Sequence, residues 1–99
     1  MILVMGHFRV PAENLPAIRP MMRKVIAATL HEDGCIEYAY AEDVAEPGLI
    51  RVSEKWRDRA CLPAHFKTAH MIEWQRERAD LGLYGRDIRI WETGEGEAV

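Results

Sequence analysis

What this chain lacks narrows its function before anything it contains. It holds two cysteines, Cys35 and Cys61, and they form no Cys-x-x-Cys motif. A disulfide scaffold is not expected from so few, and a reducing compartment is. There is no His-Glu-x-x-His stretch, so the helical zinc-protease arrangement is missing. Gly6 and Gly34 stand alone and Gly94-x-Gly96 lies in a tail, so no loop of the phosphate-cradling kind is present. No apolar run approaches the ~18 residues of a membrane span. The opening Met1-Ile2-Leu3-Val4-Met5 is apolar but short for a secretory signal and has no basic start. The expected location is the cytoplasm, with no membrane partner. A basic stripe is also missing: the net charge is −3 and the pI is near 5.8. That argues against a nucleic-acid partner.

What is present reads as one domain over residues 1–93, followed by a loose acidic tail at 94–99. Ile2, Val4, Phe8 and Val10 alternate with Leu3 and Met5, so the first strand is apolar on both faces and ends at Pro11. From Ala12 to Leu30 the period changes. Leu15, Ile18, Met22, Val25 and Ile26 follow a three-and-four spacing, which predicts an amphipathic helix. Pro16 suits its first turn, whereas Pro20 predicts a bend or a late start. Cys35–Glu42 reads as a second strand, with Ile36, Tyr38 and Tyr40 on one face. A breaker-rich turn leads into a third, Leu49–Arg57, with Ile50, Val52, Glu54 and Trp56 together. Asp58 is expected to cap a short helix through Lys67, and Thr68 to cap another from Ala69 to Asp80. Tyr84–Thr93 reads as the last strand.

That order is the βαββαβ pattern of a ferredoxin-like α+β sandwich. Helices cover one sheet face. The other carries Leu3, Met5 and Trp91, with His7, Arg51, Ser53 and Lys55 as a polar fringe. A second copy of the chain would bury those apolar side chains, so a homodimer through the sheet face is expected.

Few residues here can carry chemistry. His65 and His70 are five apart, not the four of a zinc-binding helix, and no third ligand is near in sequence, so no metal is expected. Cys61 follows a helix start, which stabilises a thiolate, but no triad spacing supports it, and it reads as a small core residue. Glu54 lies on a core-facing row, where an unpaired acid is costly. Either an ion pair to Arg23 or Arg76 offsets that cost, or Glu54 is a desolvated carboxyl with a raised pKa lining a pocket. Tyr38 and Trp56 fall on the same side and fit either core packing or a pocket, while Tyr40 and Trp91 read as packing residues. His70 reads as a helix-start residue near solvent, His7 as an interface residue and His31 as a helix-end charge.

The stretches "MILVMGHFRV", "DGCIEYAYAED" and "RVSEKWRDRACLPAHFKTAH" carry a resemblance from Met1 to about Glu92. The most specific pieces are Gly34-Cys35-x-x-Tyr38, Glu54-x-Trp56-x-Asp58, and His65 followed by His70. In that order the chain resembles the antibiotic biosynthesis monooxygenase family. The resemblance implies a dimeric ferredoxin-like α/β barrel with a pocket between sheet and helices in each subunit. It implies oxidation of an electron-rich aromatic (a hydroquinone, anthrone or polyphenol) by molecular oxygen, with no metal, flavin or haem cofactor. The matching positions are Tyr38, Glu54, Trp56 and His65. His65 would be the base or orienter and Glu54 its partner, with Tyr38 and Trp56 as pocket walls and hydrogen-bond donors. Phe66, Ile36, Val52 and Met22 are expected to line the substrate pocket. Two departures stand out: Pro63 interrupts the helix presenting His65, and Lys55 replaces a more usual apolar residue. Haem-degrading relatives use an asparagine, a tryptophan and a histidine, and here the first strand offers His7 and no asparagine. Two other readings stay open: a dimeric module that binds a small hydrophobic molecule without turnover, and an isomerase or degradation-pathway enzyme on the same fold.

Overall fold

The computed structural model describes residues 1–99. Its sheet is built on β1 (Ile2–Arg9), which pairs antiparallel with β3 (Leu49–Trp56) on one side and β4 (Tyr84–Glu92) on the other. With β2 (Cys35–Glu42) the strand order is β2-β3-β1-β4, the ferredoxin-like α+β arrangement. Register aligns side chains into rows across the sheet. Tyr38 lies opposite Glu54, Glu54 opposite Val4, and Val4 opposite Ile90. The next row runs Tyr40, Val52, Gly6, Ile88. Because successive side chains alternate faces, both rows point toward the helices. Between Cys35 and Glu37 the register shifts, and Ile36 is the extra residue. It is exposed rather than sharing the inward face of Tyr38 and Tyr40.

A short 3-10 turn at Ala12–Asn14 precedes α1 (Leu15–Thr29). Pro20 does not delay the start of the helix; α1 runs through it. One lost backbone bond is tolerated because Ile18 and Met22, on either side of Pro20, are buried in the core. Asn14 Nδ2 donates to the Leu81 carbonyl at 2.8 Å, tying the start of α1 to the end of the last helix. α2 is short, Cys61–Phe66. Asp58 does not cap it: Ala60 holds the cap position, and the Asp58 carboxylate accepts from Cys61 Sγ instead. Pro63 falls in the first turn, where no backbone donor is required, and so does not interrupt the helix. α3 (Ala69–Asp80) is capped as expected, Met71 N donating to Thr68 Oγ1 at 3.3 Å. The same hydroxyl donates to the His65 carbonyl at 2.7 Å, locking α2 to α3. Residues 93–99 hold no regular structure and are exposed. No helix is long and apolar enough to cross a membrane.

Two apolar clusters fill the space between sheet and helices. One gathers Phe8, Ile18, Ile50 and Trp74, and the other Ile2, Val4, Trp56 and Leu62. No helix covers the opposite face, where Met5 is 47% and Trp91 51% exposed. Gly6 sits at the centre of the sheet next to a register shift between His7 and Arg9. A side chain there would overlap the Asp87 carbonyl and Ile88 Cα of β4, which is backbone that cannot swing aside. Gly6→Ala should therefore lower stability by about 1–3 kcal/mol through overpacking, read as a fall in urea midpoint. An unchanged midpoint would show that β4 yields there at no cost.

Candidate functional site

The two inward rows floor a cavity of about 280 Å³. Val4, Tyr38, Tyr40 and Glu54 line it from the sheet, and Ile88 and Ile90 close one side. Above them come His65 and Phe66 from α2, with Met71 and Arg78 from α3. A site between a sheet and its covering helices, mostly apolar with a few convergent polar groups, has the character of a small-molecule pocket.

His65 is 1% exposed. Its Nδ1 lies 2.7 Å from Glu32 Oε2, and His70 Nε2 lies 2.7 Å from the same oxygen. Glu32 belongs to the turn after α1, far from both histidines in sequence. Burial pushes the His65 pKa below the ordinary histidine value, and the Glu32 carboxylate opposes that shift only in part. His65 is therefore neutral at pH 7. With Nδ1–H donating to the carboxylate, the lone pair resides on Nε2, which makes no hydrogen bond to the protein. The ring packs against Trp56 at 4.9 Å and Tyr38 at 5.4 Å between centroids.

Glu54 is buried and forms no ion pair with Arg23 or Arg76. It accepts a hydrogen bond from Trp56 Nε1 at 2.9 Å. Burial pushes its pKa up to about 7, and the Trp56 donor and the positive charge of Arg86 only partly offset that. The desolvated-carboxyl alternative therefore prevails. Tyr38 and Tyr40 share a hydrogen bond of 2.6 Å between their hydroxyls. Burial raises both phenols, Tyr40 to about 12, so each stays protonated; one proton makes the shared bond and the other is left to donate.

The expected residues distribute unevenly. His65, Glu54, Tyr38 and Phe66 line the cavity together. Trp56 is fully buried behind it and spends its donor on Glu54. Val52 and Met22 pack in the core, and Ile36 is turned out by the bulge, so none of the three reaches the cavity. The partner of His65 is Glu32, not Glu54. His70 is only partly exposed and is held by the same carboxylate, rather than standing free at the helix start. Tyr40 lines the cavity as well as filling the core. Sequence reasoning missed Glu32, Arg78 and Arg86. The one available signal was the i, i+5 histidine pair, which needed a third group from elsewhere. Cys61 is buried against Asp58 and Arg57, and burial raises Cys35 to about 11; neither lines the cavity.

Glu32, His65 and His70 bring one oxygen and two nitrogens within 4.8 Å of one another, so the third ligand that the sequence did not show exists in space. The set could hold a divalent ion. The 2.7 Å separations, however, are those of two N–H donors on one carboxylate oxygen. A zinc ion bound at ~2.0–2.1 Å to each atom would spread them to ~3.3 Å in tetrahedral geometry.

Comparison with known proteins bears on the whole chain. The family described as antibiotic biosynthesis monooxygenase matches residues 1–77. The Synechocystis protein sll1783 is 29% identical over 98 residues, 99% of this chain and 67% of that one. YcnE of Bacillus subtilis, which carries a provisional monooxygenase name, is 27% identical over 70 residues, 71% of this chain and 74% of that one. A Deinococcus radiodurans crystal structure, provisionally named an antibiotic biosynthesis monooxygenase, superposes with a TM-score of 0.92 at 24% identity. It spans 100% of this chain and 98% of that one, a likeness of fold.

Glu54 offers a test of the cavity's dryness. In the unfolded chain its carboxyl ionises near pH ~4.3; in the folded protein it keeps its proton to about 7. The folded state thus binds more protons between those values, so this group's contribution to stability falls as pH rises through that window. Glu54→Gln keeps an acceptor for Trp56 and removes the penalty. It should be more stable than wild type by about 1–3 kcal/mol at pH 8 and no different at pH 4. Urea titrations at the two pH values measure this, and equal stability at pH 8 would mean that the carboxylate is well solvated.

Proposed function

The chain belongs to the antibiotic biosynthesis monooxygenase family, and we propose that it is a cofactor-independent monooxygenase of an electron-rich aromatic: a hydroquinone, an anthrone or a polyphenol. The observation that carries this reading is the neutral, buried His65, tied through Nδ1 to Glu32 and lining an apolar cavity. Ground-state oxygen is a triplet and reacts slowly with neutral organic molecules. A phenolate or a benzylic carbanion can pass it one electron directly. The protein's task is then to create that anion away from water and to hold it.

His65 Nε2 takes the proton from the substrate hydroxyl or activated methylene, and Glu32 steadies the imidazolium that forms. The Tyr38–Tyr40 pair donates toward the substrate oxygen as negative charge builds there. The anion gives one electron to oxygen, the radical pair combines at carbon, and the resulting hydroperoxide loses water. One oxygen atom ends as the new product carbonyl and the other leaves as water. The substrate supplies every electron. Glu54, titrating near neutrality, is suited to return the proton that this water needs.

The second half of the proposal is assembly. The exposed Met5 and Trp91, with Leu3 beside them, are covered by a second copy of the chain, sheet against sheet. An obligate interface of that kind buries upwards of ~2,000 Å² in total. Sedimentation at micromolar concentration should give a dimer, and a monomer would refute this part. For the chemistry, oxygen uptake is measured with purified protein on a panel of quinols and anthrones. His65→Ala should stay folded and dimeric and lose about 10²–10⁴ in rate. Wild-type turnover by that variant would remove His65 from the mechanism. Tight binding without oxygen uptake across the panel would favour a binding module instead.

A further inference from the structure

We infer that the cavity is shaped for an aromatic that bears an acidic group, a carboxylate or its equivalent, seated between Arg78 and Arg86. This rests on the reading of the cavity as the substrate site and names the class of molecule that enters it. Six other arginines of the chain form ion pairs with carboxylates. Among them is Arg59, at the same cavity, which is held by Glu92 at 3.4 Å. Arg78 and Arg86 both line the cavity, and neither guanidinium forms an ion pair or a hydrogen bond within the protein.

Arg78 is the more telling of the two. It is only partly exposed, and its guanidinium lies 6.0 Å from the centre of the Trp74 ring. Burial pulls its pKa down, and the positive charge of Arg86 pulls it further. Arg86 is exposed, so the cost falls on the half-buried Arg78, a cation kept beside an apolar space with a second cation near it and no anion joining them. The cavity's own carboxyl does not fill that role. Glu54 is bonded to Trp56 and has its pKa raised to about 7 despite Arg86.

The rest of the cavity defines the other end of the ligand. Val4, Phe8, Ile88 and Ile90 offer an apolar bed, and the volume of about 280 Å³ lies just below the ~300–1,000 Å³ of drug-sized sites. One or two fused rings suit that space. A planar guanidinium takes a carboxylate through two parallel bonds, which fixes the ring's orientation as well as its affinity.

The test compares two ligands of one skeleton, 1-hydroxy-2-naphthoate and 1-naphthol, titrated calorimetrically into the full chain under argon. The acid should bind tighter by about 10–100-fold, the worth of hydrogen bonds to a charged group. Its advantage should shrink as salt is raised. Arg78→Met should erase most of that advantage, weakening the acid far more than 1-naphthol. Arg86→Met, at an exposed strand position, should reduce it in the same direction and guards against a misfolded Arg78 variant. Equal affinities for acid and phenol, no binding of either, or parallel weakening of both ligands in the variants would overturn the inference. Because oxygen is excluded, the result is separable from catalysis. Acid preference without oxygen uptake in air would refute the monooxygenase proposal alone, and uptake without acid preference would refute this inference alone.

Discussion

One carboxylate oxygen, Glu32 Oε2, receives the N–H of His65 and that of His70, each at 2.7 Å. Through it the turn after α1 is tied to α2 and to the first turn of α3. The arrangement settles the tautomer of His65, because a ring that donates through Nδ1 keeps its lone pair on Nε2. It also restrains a helix of six residues, which would be marginal alone. The Thr68 hydroxyl adds a second tie, capping α3 while donating to the His65 carbonyl. The residue best placed for proton transfer is thus held by a local cap and by a distant acid together.

Desolvation sets the chemical character of the cavity. The same low-dielectric surroundings push the His65 pKa down, Glu54 up to about 7 and Tyr40 up to about 12. Each shift favours the neutral form. The lining therefore presents a neutral base, a carboxyl poised to exchange a proton near neutrality, and a hydroxyl pair with one proton free to donate. Arg78 is the exception, because a guanidinium stays charged even where burial opposes it. Neutral groups suit the making of an anion and fixed cations suit the holding of one; the cavity contains both.

Much of the architecture was legible along the chain. The alternation in β1 and β3 and the three-and-four spacing of α1 placed their buried faces correctly, and Thr68 caps its helix. Glu54 stood out as an acid among core residues, and its burial in the cavity lining agrees with that pattern. Ile36 failed for a specific reason. Period-two reasoning assumes an unbroken ladder, and one extra residue at a bulge moves a side chain off its expected face. Val52 and Met22 share inward faces with cavity residues but sit where the sheet and α1 close on each other. Periodicity reports a face and not a distance along it.

The sequence by itself determined the element order, the inward faces and the likeness to a family, because these depend on local period and on residue types at short spacing. Only the tertiary structure decided which groups meet. Glu32 and His65 are 33 residues apart, and no motif spans that separation. Their meeting follows from how the turn after α1 packs against α2, which is a property of the whole core. The unpaired state of Arg78 and Arg86 is of the same kind: ten arginines and many acids are present in the chain, and only the folded backbone determines which of them are left beside the cavity without a carboxylate.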